Sequence, residues 1–106
     1  LAIDREEEAL AAVDKAIELN PGTAAPYRTK AEALQYMDRH VEAVAAADKA
    51  IELEPENALG YARKGASLYE LDDIEAAEKA LSQSVKLDPN NQLALYVQRE
   101  MRNEGA

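Results

Sequence analysis

Cysteine is absent from the 106 residues, so neither disulfides nor thiolate metal sites can hold this chain together. No apolar run approaches the roughly 18 residues that a membrane-spanning helix needs. The start is Leu1 rather than methionine, with no signal-like segment after it, as in a piece of something longer, and the cytoplasm is its expected place. Basic residues are scarce: 12 Lys and Arg stand against 21 Asp and Glu, for a formal charge of −9. That field repels phosphate backbones and anionic lipid surfaces, so basic or neutral proteins are the expected partners and nucleic acid and membranes are not. Histidine occurs once, at His40, beside Asp38 and Arg39 and with no nucleophile near it in sequence. It is expected to be a solvated turn residue, and the chain is expected to be neither an enzyme nor a binder of cofactors or metals.

Four prolines are present, and three of them keep time. Pro21, Pro55 and Pro89 stand 34 residues apart, each closing the same phrase: Ile17-Glu18-Leu19-Asn20, Ile51-Glu52-Leu53-Glu54 and Val85-Lys86-Leu87-Asp88. A 34-residue period of helical patterns is the mark of a stacked helical hairpin. Full units are expected at 24–57 and 58–91, preceded by one helix of an incomplete unit at 1–23 and followed by a solvating helix at 92–106. Within each unit small and apolar residues recur at helical spacing, as in Tyr27, Ala31, Leu34 and then Ala43, Ala47, Ala50. The spacing predicts helices over 4–19, 24–37, 39–53, 58–71, 73–87 and 92–104, and no strand.

Thr23, Asn57 and Asn91 each stand two residues after a proline, where a side-chain oxygen can accept from the free amides of the next helix. Asp4, Asp38 and Asp72 also recur at 34 and are expected to start the second helix of each hairpin, with Glu7 and Glu75 completing capping boxes. Pro26 falls in a first turn, where its missing amide costs nothing. Acidic runs such as Glu6-Glu7-Glu8 and Asp72-Asp73 suit helix starts and need no catalytic explanation. Asp88-Pro89-Asn90-Asn91 lacks the spaced carboxylates and closing glutamate of a calcium loop.

The order Tyr61, Gly65, Leu68, Ala77, Leu81, Pro89, nearly repeated by Tyr27, Ala31, Leu34, Ala43, Ala50, Pro55, resembles the tetratricopeptide repeat family over almost the whole chain. The resemblance implies an all-α, right-handed solenoid of antiparallel helical hairpins, about six helices in all. The chain departs from the family at Lys30 and Lys64, where leucine is usual, and at Ala47, where helix B usually carries an aromatic. Its alanines bury little area, so Tyr27 and Tyr36 are expected to fill the gap. Arg99 and Arg102 stand where full units have small and apolar residues, so the last helix reads as a cap. Ala9, Val13 and Ala16 are at sites that would meet an absent partner helix.

By the family's register, the first helices of the units line a concave groove that takes an extended peptide or a partner's helix. Its expected contacts are Arg28, Thr29, Glu32, Leu59, Arg63, Tyr69, Leu93 and Tyr96, with the arginines as candidate carboxylate anchors and the tyrosines as apolar anchors. Intramolecular pairing of both arginines with Glu32, Glu70 or Glu100 is the competing reading. Family members that hold a chaperone's C-terminal carboxylate use lysine, asparagine and arginine where this chain has Arg28, Glu32, Arg63, Leu93 and Val97. Only the charge at Arg28 survives, and capture of such a tail is not expected. A protein-binding adaptor is therefore the leading function. The alternatives are self-assembly through Ile3, Leu10, Val13 and Ile17, and a regulatory segment of a larger enzyme.

Overall fold

The computed structural model describes residues 2–105, with side chains described from Arg5 to Glu104. Six helices follow one another: α1 (Ala2–Leu19), α2 (Ala24–Tyr36), α3 (His40–Leu53), α4 (Ala58–Glu70), α5 (Ile74–Leu87) and α6 (Gln92–Gly105). No strand occurs among the described residues, and no described helix is long and apolar enough to cross a membrane. The architecture is an all-α helical repeat solenoid. α2 packs on α3 and α4 on α5 as hairpins, α1 lies against α2, and α4 bridges α2 and α6.

The turns explain the period. Between hairpins, Asn57 N–H donates to Glu54 O and Asn91 N–H to Asp88 O, closing turns with Pro55 and Pro89 in the second position, which their fixed φ suits. Asp88 Oδ1 also accepts from Asn90 N–H at 3.0 Å, so this segment is a turn tied by its own side chain. The caps that follow are made at two of the three expected sites: Asn57 accepts from Leu59 N–H and Asn91 from Ala94 N–H, each at 3.0 Å. Thr23 makes no side-chain cap bond.

Within hairpins the aspartates act differently from expectation. Asp38 and Asp72 have φ of 58° and 67°, the left-handed region, and so end α2 and α4 rather than start α3 and α5. The bond from Arg39 N–H to Leu34 O, repeated from Asp73 N–H to Leu68 O, closes the helix end in the six-residue loop of a Schellman turn. Aspartate tolerates this backbone better than most residues because its short polar side chain can bond locally. The cap of α5 falls one residue later, on Asp73, whose Oδ1 accepts from Ala76 N–H at 3.3 Å. Arg39 precedes α3 without a side-chain cap. Asp4 lies inside α1, which begins before it.

Alanine fills the shielded positions, among them Ala31, Ala43, Ala47, Ala62, Ala77 and Ala94, so the helices approach closely around a few large side chains, Leu34 and Leu81 above all. Leu81 owes its place to Gly65: a Cβ there would stand 2.6 Å from both Leu81 Cγ and Cδ2. Tyr27 is half-buried and its hydroxyl donates to Pro21 O at 3.0 Å, but Tyr36 is 71% exposed and fills no gap.

Lys30 and Lys64 replace leucine at a cost met by polar partners. Lys30 pairs with Asp14 at 2.8 Å and Lys64 with Asp48 at 2.7 Å, so the same ion pair recurs one repeat apart and ties the first helix of each hairpin to the helix before it. Half-exposed pairs of this kind are each worth about 0.2–1 kcal/mol.

The surface nominated for self-assembly is not a free face. Leu10 is 9% exposed and belongs to a cluster with Ala31, Leu34, Ala43, Ala46 and Ala47, while Val13 and Ile17 are half-buried. These residues turn toward the rest of the chain because the apolar stripe of α1 is what docks it on α2. Ile3 lies outside the described side chains. Ala9 and Ala16 are exposed, as are Arg99 and Arg102 on α6.

Candidate functional site: a groove across α2, α4 and α6

The face shared by α2, α4 and α6 is hollowed into a groove of about 440 Å3. Side chains three and four apart on one helix share a face, which is why α4 presents Arg63, Ala66, Tyr69 and Glu70 together and α6 presents Leu93, Tyr96, Val97, Glu100 and Glu104. α2 adds Gln35 and Tyr36 at its end, the turn after it adds Asp38, and the start of α3 adds His40. Tyr96 is 55% exposed on this wall.

Of the expected contacts, Arg63, Tyr69, Leu93 and Tyr96 line the groove. The other four lie outside its lining. Arg28 is held at 2.7 Å by Glu54, Thr29 donates its hydroxyl to Ala25 O at 3.2 Å, and Leu59 is half-buried against the core around Leu81. Glu32 pairs with Arg63 at 2.8 Å. Both arginines are thus engaged within the chain.

Arg63 is the centre of a network that crosses from α4 to α2. Its Nη2 donates to Glu32 Oε2 at 2.8 Å and its Nη1 to Gln35 Oε1 at 3.3 Å. Gln35 Nε2 donates back to Arg63 O and to the buried Ser67 Oγ, both at 2.7 Å. Shared donors and acceptors of this kind fix the spacing of the two helices and hence the width of the groove.

Asp38, His40 and Glu104 were not anticipated as lining residues. His40 is not a solvated turn residue: its side chain is 14% exposed, with Nε2 3.4 Å from Asp38 Oδ1 and Nδ1 shielded without a hydrogen-bond partner. The turn folds it back over the end of the groove, which no helical periodicity reveals. Glu104, one helical turn beyond Glu100, was legible from that spacing.

The Tyr69 hydroxyl is also shielded from solvent and completes no hydrogen bond of ordinary geometry. The Glu104 carboxylate facing it, together with desolvation and the charges of Glu100 and Glu70, pushes the phenol up to about 12. A free phenol ionises near 10, so between these values the unfolded chain loses a proton that the native chain keeps, and stability falls as pH rises. The contribution is whole below pH 10 and gone above about 12. Alkaline titration followed by phenolate absorbance should show one tyrosine ionising near pH 12, absent from Tyr69→Phe. An unchanged late step in that variant would place the acidic surroundings at another tyrosine.

The family model described as Tetratricopeptide repeat matches residues 58–91, the α4–α5 hairpin that supplies the groove's central wall. That hairpin is similar to a tetratricopeptide repeat. Tetratricopeptide domains of known structure share the whole fold. The first such domain of human RPAP3 superposes with a TM-score of 0.88 at 23% identity, over 94% of this chain and 79% of that one. The domain of Arabidopsis OM64 gives 0.87 at 24%, over 94% and 83%. The first domain of Spaghetti (RPAP3), solved bound to the HSP90 peptide SRMEEVD, gives 0.88 at 23%, over 95% and 80%. No curated protein matches the chain in sequence.

Proposed function

We propose that this tetratricopeptide array is a protein-interaction module that takes a peptide segment of a partner protein in the groove across α2, α4 and α6. The observation that carries this reading is the exposed Tyr96 in a groove of about 440 Å3 that Tyr69, Leu93 and Val97 also line. Aromatic anchors in a concave site are where interface energy concentrates. The Arg63, Glu32, Gln35 and Ser67 network holds the groove's walls in place before any partner arrives, which lowers the ordering cost of binding. That a structural neighbour was solved bound to a peptide supports the class of ligand. It does not carry over the ligand's chemistry: Glu32 occupies one carboxylate-clamp position, Leu93 and Val97 two others, and Arg28 is neutralised by Glu54.

A photoreactive phenylalanine analogue placed at position 96 should crosslink the partner in cells, and the same group at Lys79, exposed on α5 and outside the groove lining, should not. Equal capture at both positions would remove the groove from consideration.

A further inference from the structure

The groove's charge is opposite to what a carboxylate ligand needs. Four carboxylates line it, Asp38, Glu70, Glu100 and Glu104, against the single guanidinium of Arg63. Arg63 is already committed to Glu32. Glu70, Glu100 and Glu104 line the same groove as Tyr69, and none of them has a cationic partner among the described residues. Like charges gathered at a partly enclosed mouth repel one another, and a bound cation relieves that repulsion. The rings of Tyr69 and Tyr96, whose faces attract cations, line the same groove.

Resting on the groove reading above, we infer that the occupant is a peptide segment with an arginine or lysine beside an apolar side chain. The cation lies among Glu70, Glu100 and Glu104, and the apolar neighbour sits against Leu93 and Val97. An arginine suits the site best, because its planar fork can bond two carboxylates while stacking on a tyrosine ring.

The test uses three acetylated, amidated decapeptides alternating leucine with arginine, glutamine or glutamate, titrated into the protein by fluorescence anisotropy. Blocked ends remove any terminal carboxylate. The arginine peptide should bind about tenfold or more tighter than the glutamine peptide, weaken as salt rises, and lose about tenfold in the Glu100→Gln/Glu104→Gln variant. Both changed residues lie toward the end of α6, so circular dichroism of the variant verifies that loss of binding is not loss of fold. If all three peptides bind alike and Tyr96→Ala weakens them equally, the groove reading stands and the cation site is overturned. If the glutamate peptide binds best, the cation site is overturned and the groove selects acids. If none binds, cation selectivity and the groove reading fall together.

Discussion

Gly65→Ala should make this protein less stable, by up to about 2 kcal/mol net, although alanine is the better helix former. Mid-helix, the exchange alone would gain about 1 kcal/mol. Against that, the new Cβ would stand 2.6 Å from two atoms of Leu81, which is fully shielded and cannot swing away. Overpacking of this kind costs about 1–3 kcal/mol and occasionally more, so the clash outweighs the propensity. Gly60→Ala is the control: its Cβ meets Ile51 Cγ1 at 3.0 Å, and Ile51 is half-buried and free to give. That variant should change stability little. Leu81→Ala alone leaves a cavity and should cost about 2–5 kcal/mol. The double variant should be more stable than the sum of the two changes implies, because the added methyl occupies space that the leucine vacated. Urea unfolding of the four proteins measures the coupling, and additivity within about 0.5 kcal/mol would show that α4 and α5 do not meet at this point.

That contact was half legible in the sequence. Gly65 and Leu81 each fell at a repeat position that asks for a small and a large residue, but only the fold shows that one is small because the other fills its place. The helices themselves were legible because prolines and apolar residues recur with two periods at once, 34 along the chain and about 3.6 within each helix. Asn57 and Asn91 could be read as caps because a cap is local chemistry. Asp38 and Asp72 were misread for the same reason: an aspartate two residues before a helix looks like a cap until a backbone in the left-handed region places it at the end of the previous helix. In the groove, Tyr69, Leu93 and Tyr96 were found by register, and Arg28 was placed there by the same register although Glu54 holds it elsewhere. Ion pairs such as Lys64–Asp48 also left a trace, since both partners have counterparts 34 residues earlier in Lys30 and Asp14. His40 left none, because its burial depends on how one turn folds over another helix.

Leu34→Ala should cost about 2–5 kcal/mol, toward the upper end, and should loosen one end of the molecule before the other. Leu34 is 1% exposed and its neighbours in the cluster are chiefly Ala31, Ala43, Ala46 and Ala47, which have no rotamers with which to fill a void. Leu10 is the side chain of α1 that enters the same cluster, so the cavity removes the surface on which α1 docks. In an array where each hairpin touches only its neighbours, stability is a sum of local and nearest-neighbour terms. α4 and α5 keep their own clusters, one holding Ala62 and Leu81 and the other Leu68, Ala77 and Ala80, together with the bond from Ser84 Oγ to Ala58 O at 2.8 Å. Native-state hydrogen exchange on Leu34→Ala should therefore show protection lost through α1 and α2 and retained in α4 and α5. The groove straddles that divide, because Gln35 on α2 bonds Arg63 and Ser67 on α4. Loosening α2 should thus weaken binding in the groove even though Leu34 does not line it. Equal loss of protection in α1 and α5 would mean that the six helices unfold as one unit and that the Gln35 network couples the hairpins more strongly than their apolar contacts do.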